Sequence, residues 1–288
     1  MQASSFYHNM ITKGGFFMEF NFKVGDIVAR KSHDLDTIFK IESIDDGIAQ
    51  LKGVFFRFNA DAPVTDLESV SSSDVRAAEV EEEKKFEEVM PPESLAGMRN
   101  LRRDSDFYIS GRILHVDGDD EYLERSAKLY EHAKVYATTI FVKEPLMPAR
   151  VPELVKQLRP NIVVLTGHDA IENKELVDTL EGYRSSKYFV NTVNELRKLE
   201  PSLDYLIIIA GACQSHFEAL IGSGANFASS PQRINIHALD PAIVAATVAL
   251  TPYEDEVDLK EALEKTVTKI AGIGGLQTKG TLRYGLKS

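Results

Sequence analysis

The chain is poor in sulfur and lacks tryptophan, with one cysteine and no tryptophan among 288 residues. A single thiol excludes an internal disulfide framework and any zinc site built from several cysteines. It fits a reducing compartment. No stretch approaches the ~18 consecutive apolar residues of a transmembrane helix. The opening residues, MQASSFYHNMITKGGFFMEF, are polar and broken by glycine, without the basic start and apolar core of a secretory signal. These absences predict a cytoplasmic protein. Basic charge is scarce too: 33 Lys and Arg against 44 Asp and Glu give a net charge of −11. The basic residues are spread singly, whereas residues 81–83 are three consecutive glutamates. Neither nucleic acid nor an anionic membrane is therefore an expected partner.

At 43% hydrophobic residues the chain can bury one or two real cores. Lys-Gly-Gly at residues 13–15 can be encoded by a purine run resembling a ribosome-binding site, spaced suitably from a start codon at Met18. Residues 1–17 are thus either an extension without structure or a mis-assigned start. From residue 18 to about 70, short alternating runs such as FKVGDIVARKS and TIFKIESIDDG, separated by Gly, Asp and Pro, predict a small SH3-like β-barrel. Residues 71–103, with EVEEEKKFEEVMPPES, read as a charged linker or solvated helix.

Residues 104–288 alternate apolar runs with helical patterns. The candidate strands are GRILHVDGD, VYATTIFV, NIVVLTGHD and YLIIIAGAC. The candidate helices begin at DEYLERS, MPARVPE, KYFVNTV and HFEALIG, and two more are expected in DPAIVAATVAL and DLKEALEKTVTKIAG before a glycine-rich close. Such alternation predicts an α/β fold, a mostly parallel sheet with helices on both faces.

In sheets of this kind function gathers where strands end at their carboxyl edge. Three predicted exits carry polar residues: Asp117, Asp119 and Asp120; His168 and Asp169; Cys213, Gln214 and Ser215. A thiol acts as a nucleophile only when ionised, and a helix starting just after Cys213 would favour the thiolate. A histidine on a neighbouring exit could protonate a leaving amine. Gly167 and Gly211 permit close backbone approach, and N–H groups around Gly167, Asp169, Gly211 and Ala212 are candidates for an oxyanion hole. Against this stands the plainer reading, in which Cys213 is a small buried hydrophobe and His168 a loop histidine. Ser215 is a weaker nucleophile candidate, because no G-x-S-x-G elbow is present. His168, Asp169 and His216 lack metal-site spacing, and VDGDDEYLE lacks a phosphate-binding glycine pattern, so no metal or cofactor is expected.

His168 precedes Cys213 by 45 residues, which resembles the His-then-Cys order of caspase-like peptidases. Gly211-Ala212-Cys213 departs from their Q-A-C core, which leaves the second oxyanion donor open. More closely, VGDIVARKS, HVDGD, TGHDA, GACQSHFEALIGSGANFASSPQRINIHALDP and GIGGLQTKGTLRYG resemble the YabG family of sporulation-specific peptidases, over nearly the whole chain from Met18. The resemblance implies a cysteine endopeptidase of a sporulating bacterium, with Cys213 as nucleophile and His168 as its partner. Its protein substrates would be spore coat and related proteins, met on the mother-cell side or in the coat. The barrel would dock a substrate or coat partner.

An acidic group at the first exit would pair with a basic residue before the cleaved bond, most strongly arginine. Asp117 or Asp119 is the expected charge partner, unless both merely cap the helix that follows. Ser229 and Ser230 of FASSP are candidates for the same pocket. Basic preference makes Arg99, Arg102 and Arg103 candidate points of self-cleavage. The alternative function is a non-catalytic spore assembly or docking protein with a structural cysteine.

Overall fold

The computed structural model describes residues 22–89 and 106–286. The described residues divide into two compact units, the smaller holding residues 22–54 and Asn59–Glu79, the larger holding Phe55–Phe58, residues 80–89 and residues 106–286. The extension at residues 1–17 and the three candidate cleavage points at Arg99, Arg102 and Arg103 lie outside the described residues.

The smaller unit is an antiparallel sheet of β1 (Ile27–Arg30), β2 (Phe39–Asp45), β3 (Ile48–Gly53), β4 (Asn59–Pro63) and β5 (Leu67–Ser69), in the order β4-β3-β2-β1-β5. Asp46 and Gly47, with φ of +46° and +78°, close the β2–β3 hairpin in the two-residue turn that matches strand twist. Alternate residues Phe39, Ile41, Ala49 and Leu51 are buried, as expected of strands with one covered face. The charged stretch that follows forms α1 (Ser72–Val89).

In the larger unit, β6 (Asp106–Ile109) is followed by β7 (Ile113–Asp117), α2 (Asp120–His132), β8 (Ala137–Phe141), α3 (Met147–Leu158), β9 (Ile162–Thr166) and α4 (Ser186–Leu199). Then come β10 (Ile207–Ala210), α5 (Phe217–Gly222), β11 (Phe227–Ser229), α6 (Asp240–Leu250), α7 (Leu259–Glu264), α8 (Lys269–Gly272), β12 (Ile273–Gly275) and β13 (Arg283–Leu286). The central sheet runs β12-β11-β10-β9-β7-β8, parallel except for β12.

Its inner strands β9 and β10 read as apolar runs because both faces are covered. Ile113, Ile162, Val164, Ile207 and Ile209 pack on one side with Leu129 of α2 and the alanine-rich α6. Their sequence neighbours Leu114, Val163, Leu165 and Ile208 pack on the other with Met147 and Val151 of α3, Phe189 and Val193 of α4, and Leu220 of α5. The expected α/β architecture is therefore present.

The tail differs from expectation. The segment read as one helix breaks into α7 and α8, because the backbone N–H groups of Val267 and Thr268 turn aside to donate to the Asp240 carboxylate at 2.7 and 3.2 Å. The glycine-rich close contributes β12 to the main sheet, and β13 pairs with β6, a strand outside the expected set.

Candidate active site

The register sets three strand exits side by side. Asp117 ends β7 opposite Thr166, the last residue of β9, and Ala210 ends β10 opposite Leu165. Asp117, His168 and Cys213 therefore leave the sheet at one edge.

At the first exit the two aspartates divide the roles between them. Asp119 is the N-cap of α2, accepting the N–H groups of Glu121 and Tyr122 at 3.1 and 3.2 Å. Its other oxygen lies 2.8 Å from His168 Nε2. Asp117 caps nothing. It is fully buried and holds the guanidinium of Arg57 in a two-pronged ion pair, with Nη1 to Oδ1 at 3.0 Å and Nη2 on Oδ2. The Asp119 N–H and the Thr166 hydroxyl also donate to its two oxygens, at 2.9 and 2.7 Å. Burial alone would raise this carboxyl, but the Arg57 charge outweighs it and holds the group far below the usual carboxylate range. Beneath it His115 touches Tyr130 and Thr166, both at 2.8 Å, and burial lowers its basicity.

At the second exit, the His168 N–H donates to Glu144 Oε1 at 2.7 Å. The Glu144 carboxylate is wedged against two glycines, so that a Cβ on Gly118 or Gly167 would come within 2.2 or 2.3 Å of Oε1. Asp169 points elsewhere. It accepts the N–H groups of Ala170 and Ser185 at 2.9 and 2.7 Å and the hydroxyls of Ser186 and Ser215 at 2.5 and 2.8 Å. Burial raises its carboxyl against those hydrogen bonds. Ser215, being buried and committed to Asp169, is no free nucleophile.

The third exit is a tight turn. Gly211 has φ of +110°, and a Cβ there would meet Leu220 Cδ1 at 2.9 Å. Its N–H goes to Leu165 O at 3.0 Å, and the Ala212 N–H goes to Ser215 Oγ at 2.9 Å, so both are already spent on the scaffold. Cys213 turns inward. Its thiol donates to the carbonyl of Arg57 and accepts the Ile236 N–H at 3.3 Å. Burial pushes the thiol up to about 12, opposed by the Ile236 N–H and the Arg57 charge. The expected helix is present as α5, starting at Phe217 and capped by His216, whose Nδ1 accepts the Ala219 N–H at 3.4 Å, but burial of the thiol outweighs any support it gives the thiolate. Cys213 and His168 make no hydrogen bond to each other.

Ser230 Oγ accepts the Gln214 N–H at 3.0 Å and donates to Ile234 O at 2.7 Å, bracing the turn after Cys213. Ser229 Oγ is buried without a hydrogen-bond partner. Neither serine bonds to Asp117 or Arg57.

Three site residues escaped sequence reasoning. Arg57 lies in the connection between β3 and β4, and its only signal is a lone cation in VFFRFN. Tyr122 donates its hydroxyl to Phe56 O at 2.9 Å, its ring lies 4.8 Å from the Arg57 guanidinium carbon, and its centroid is 5.9 Å from that of His168. Glu144 reads as an ordinary surface acid in VKEPL. Among the described residues, no group of three or more His, Cys, Asp or Glu is arranged to hold a metal ion. No helix there is long and apolar enough to cross a membrane.

Comparison with known proteins gives two findings. Residues 23–287 match the family model described as YabG peptidase U57. The chain is 39% identical over 285 residues to the sporulation-specific protease YabG of Bacillus subtilis (strain 168), an alignment covering 92% of this chain and 98% of that protein.

Proposed function

The chain belongs to the YabG peptidase family, and from that premise we propose that it is a cysteine endopeptidase of sporulation, cutting after arginine. Its substrates are proteins of the spore coat and related layers, in or around the mother-cell cytoplasm. The observation that carries the reading is one arginine, Arg57, whose guanidinium is paired to Asp117 while its carbonyl faces the Cys213 thiol. The side chain before a cleaved bond and the carbonyl under attack need that relation to an acidic pocket and a nucleophile.

In this reading ionised Cys213 attacks the carbonyl carbon that follows the arginine side chain. The C–N bond breaks, His168 gives its proton to the departing amine, and a thioester joins the substrate to Sγ. Water then hydrolyses the thioester, with His168 taking the water's proton and Sγ leaving as the thiolate, which restores the starting ion pair. Asp119, 2.8 Å from His168 Nε2, is a positioning residue for the ring. The N–H groups of Gly211 and Ala212 are engaged, so the oxyanion falls to the N–H groups of Cys213 and Gly167, for which no partner is present among the described residues. The parallel sheet with His and Cys on adjacent exits supports a caspase-like domain. The small antiparallel sheet supports an SH3-like docking module for a protein partner. Self-cleavage at Arg99, Arg102 or Arg103 belongs to the same proposal.

The burial of Cys213 favours a second reading, a docking protein with a structural cysteine. A mixed peptide library incubated with the wild type, Cys213→Ala and Asp117→Asn, with products read by mass spectrometry, separates the two. Cuts after Arg that vanish in Cys213→Ala and lose their Arg preference in Asp117→Asn are expected. Products identical with all three proteins would end the peptidase assignment of these residues.

A further inference from the structure

The Asp117 pocket and the Cys213 thiol are already occupied by the protein's own chain, through the Phe55–Phe58 connection of β3 and β4. The segment lies against residues 236–238, bent at Phe55 and at Arg57, where the Phe58 N–H donates to Phe56 O at 2.8 Å. The Arg57 N–H donates to Ile236 O and the Ala238 N–H to Phe55 O, each at 3.3 Å, with Phe56 opposite His237 in an antiparallel bridge. The Phe56 and His237 rings meet edge-on at 5.4 Å, and the Tyr122 hydroxyl holds the Phe56 carbonyl. A peptide added to an exposed backbone edge, with its side chains in pockets, is a general mode of peptide recognition.

We propose that Phe55–Phe58 is an in-cis inhibitor, with Arg57 filling the pocket that a substrate arginine requires. The inference rests on the Asp117 and Cys213 roles proposed above. Five groups that an incoming chain would use are spent: the paired carboxylate, the Ile236 carbonyl, the Ala238 N–H, the Tyr122 hydroxyl and the thiol. Substrate and segment therefore exclude one another. The segment is held at both ends by strands, so its ordering cost is largely met before it docks. A tether this short gives an effective concentration on the order of millimolar. A free peptide of the same sequence competes only as it nears that level. The fit is also imperfect, since Arg57 Nε is buried without a hydrogen-bond partner. A segment that has to leave should hold on less than fully.

The test uses the full chain carrying Cys213→Ala, which cannot hydrolyse, and a fluorescent N-acetyl-Phe-Phe-Arg amide read by anisotropy. The parent should bind at least about tenfold more weakly than Cys213→Ala/Arg57→Ala, because removing the plug removes the competing population. Arg57→Ala leaves a buried carboxylate unpaired and can unfold the domain, so Cys213→Ala/Phe56→Ala serves as a second opening variant. It weakens the segment but not the peptide, which keeps its own Phe. Circular dichroism checks the fold of each. Equal affinity in the parent and in a folded opening variant overturns the inference and leaves the pocket assignment standing. Peptide binding that appears on opening but survives added Asp117→Asn overturns the pocket assignment, and the inference with it.

Discussion

Alkylation of Cys213 by iodoacetamide tests the site at its centre. A His168→Ala background keeps the chain intact under the proposed chemistry and leaves the thiol in place. A thiol of ordinary value 9.0 is about one-tenth ionised at pH 8, whereas one pushed up to about 12 is ionised at about one part in ten thousand. The thiolate is the reacting species, so the native protein should label roughly a thousandfold more slowly than the same protein unfolded in urea, and steric cover adds to that. Phe56→Ala, which loosens the segment whose Arg57 carbonyl accepts the thiol's hydrogen bond, should recover much of the rate. Intact mass against time reads both. Native labelling within tenfold of the unfolded control refutes the buried, protonated thiol. Labelling that stays slow in a folded Phe56→Ala protein makes Cys213 a core cysteine and refutes its role as nucleophile.

Asp117→Asn strips one partner from a buried pair and should cost about 3–5 kcal/mol in urea unfolding. Because the folded Asp117 carboxyl is held below its unfolded value near ~4, its stabilising share is complete above that pH and is lost as pH falls through the folded value. Asp169 and Asp240, whose carboxyls burial raises, run the opposite way and favour the fold as they protonate, so the difference between wild type and Asp117→Asn isolates the Asp117 slope. At Asp119, Asn keeps the cap of α2 while Ala loses it, at about 0.5–2 kcal/mol by thermal melting. Both should lower kcat and shift its pH profile if Asp119 orients His168, and an unchanged profile in the Asn variant leaves only the cap. Gly167→Ala should destabilise by about 1–3 kcal/mol, because its Cβ collides with Glu144. Combined with Glu144→Ala, most of that penalty should disappear in a double-mutant cycle, and additive effects would show that the collision is not its cause.

The alternation of elements was legible because Ile113 to Val116, Ile162 to Leu165 and Ile207 to Ala210 are buried on both faces, which leaves the runs apolar but for His115. Placing Asp117, His168 and Cys213 on one edge followed from strand direction alone. What could not be read were contacts with no local signature. Arg57 and Asp117 are 60 positions apart and belong to differently patterned stretches. The expected activation of Cys213 by the end of α5 failed because the thiol turns inward, where burial raises it. The break between α7 and α8 was hidden because its cause is Asp240, 27 positions earlier at the start of α6.

The Asp169 carboxylate joins the loop that carries His168, the start of α4 through Ser185 and Ser186, and the turn after Cys213 through Ser215. The same Ser186 hydroxyl also takes the His216 N–H at 2.8 Å. In a genetic screen such a joint has its own signature. Lesions at Asp169, Ser186 and Ser215 should fall into one phenotypic class and should not worsen one another when combined. A second-site suppressor of any of them should map to the other two, although none of the three touches a substrate.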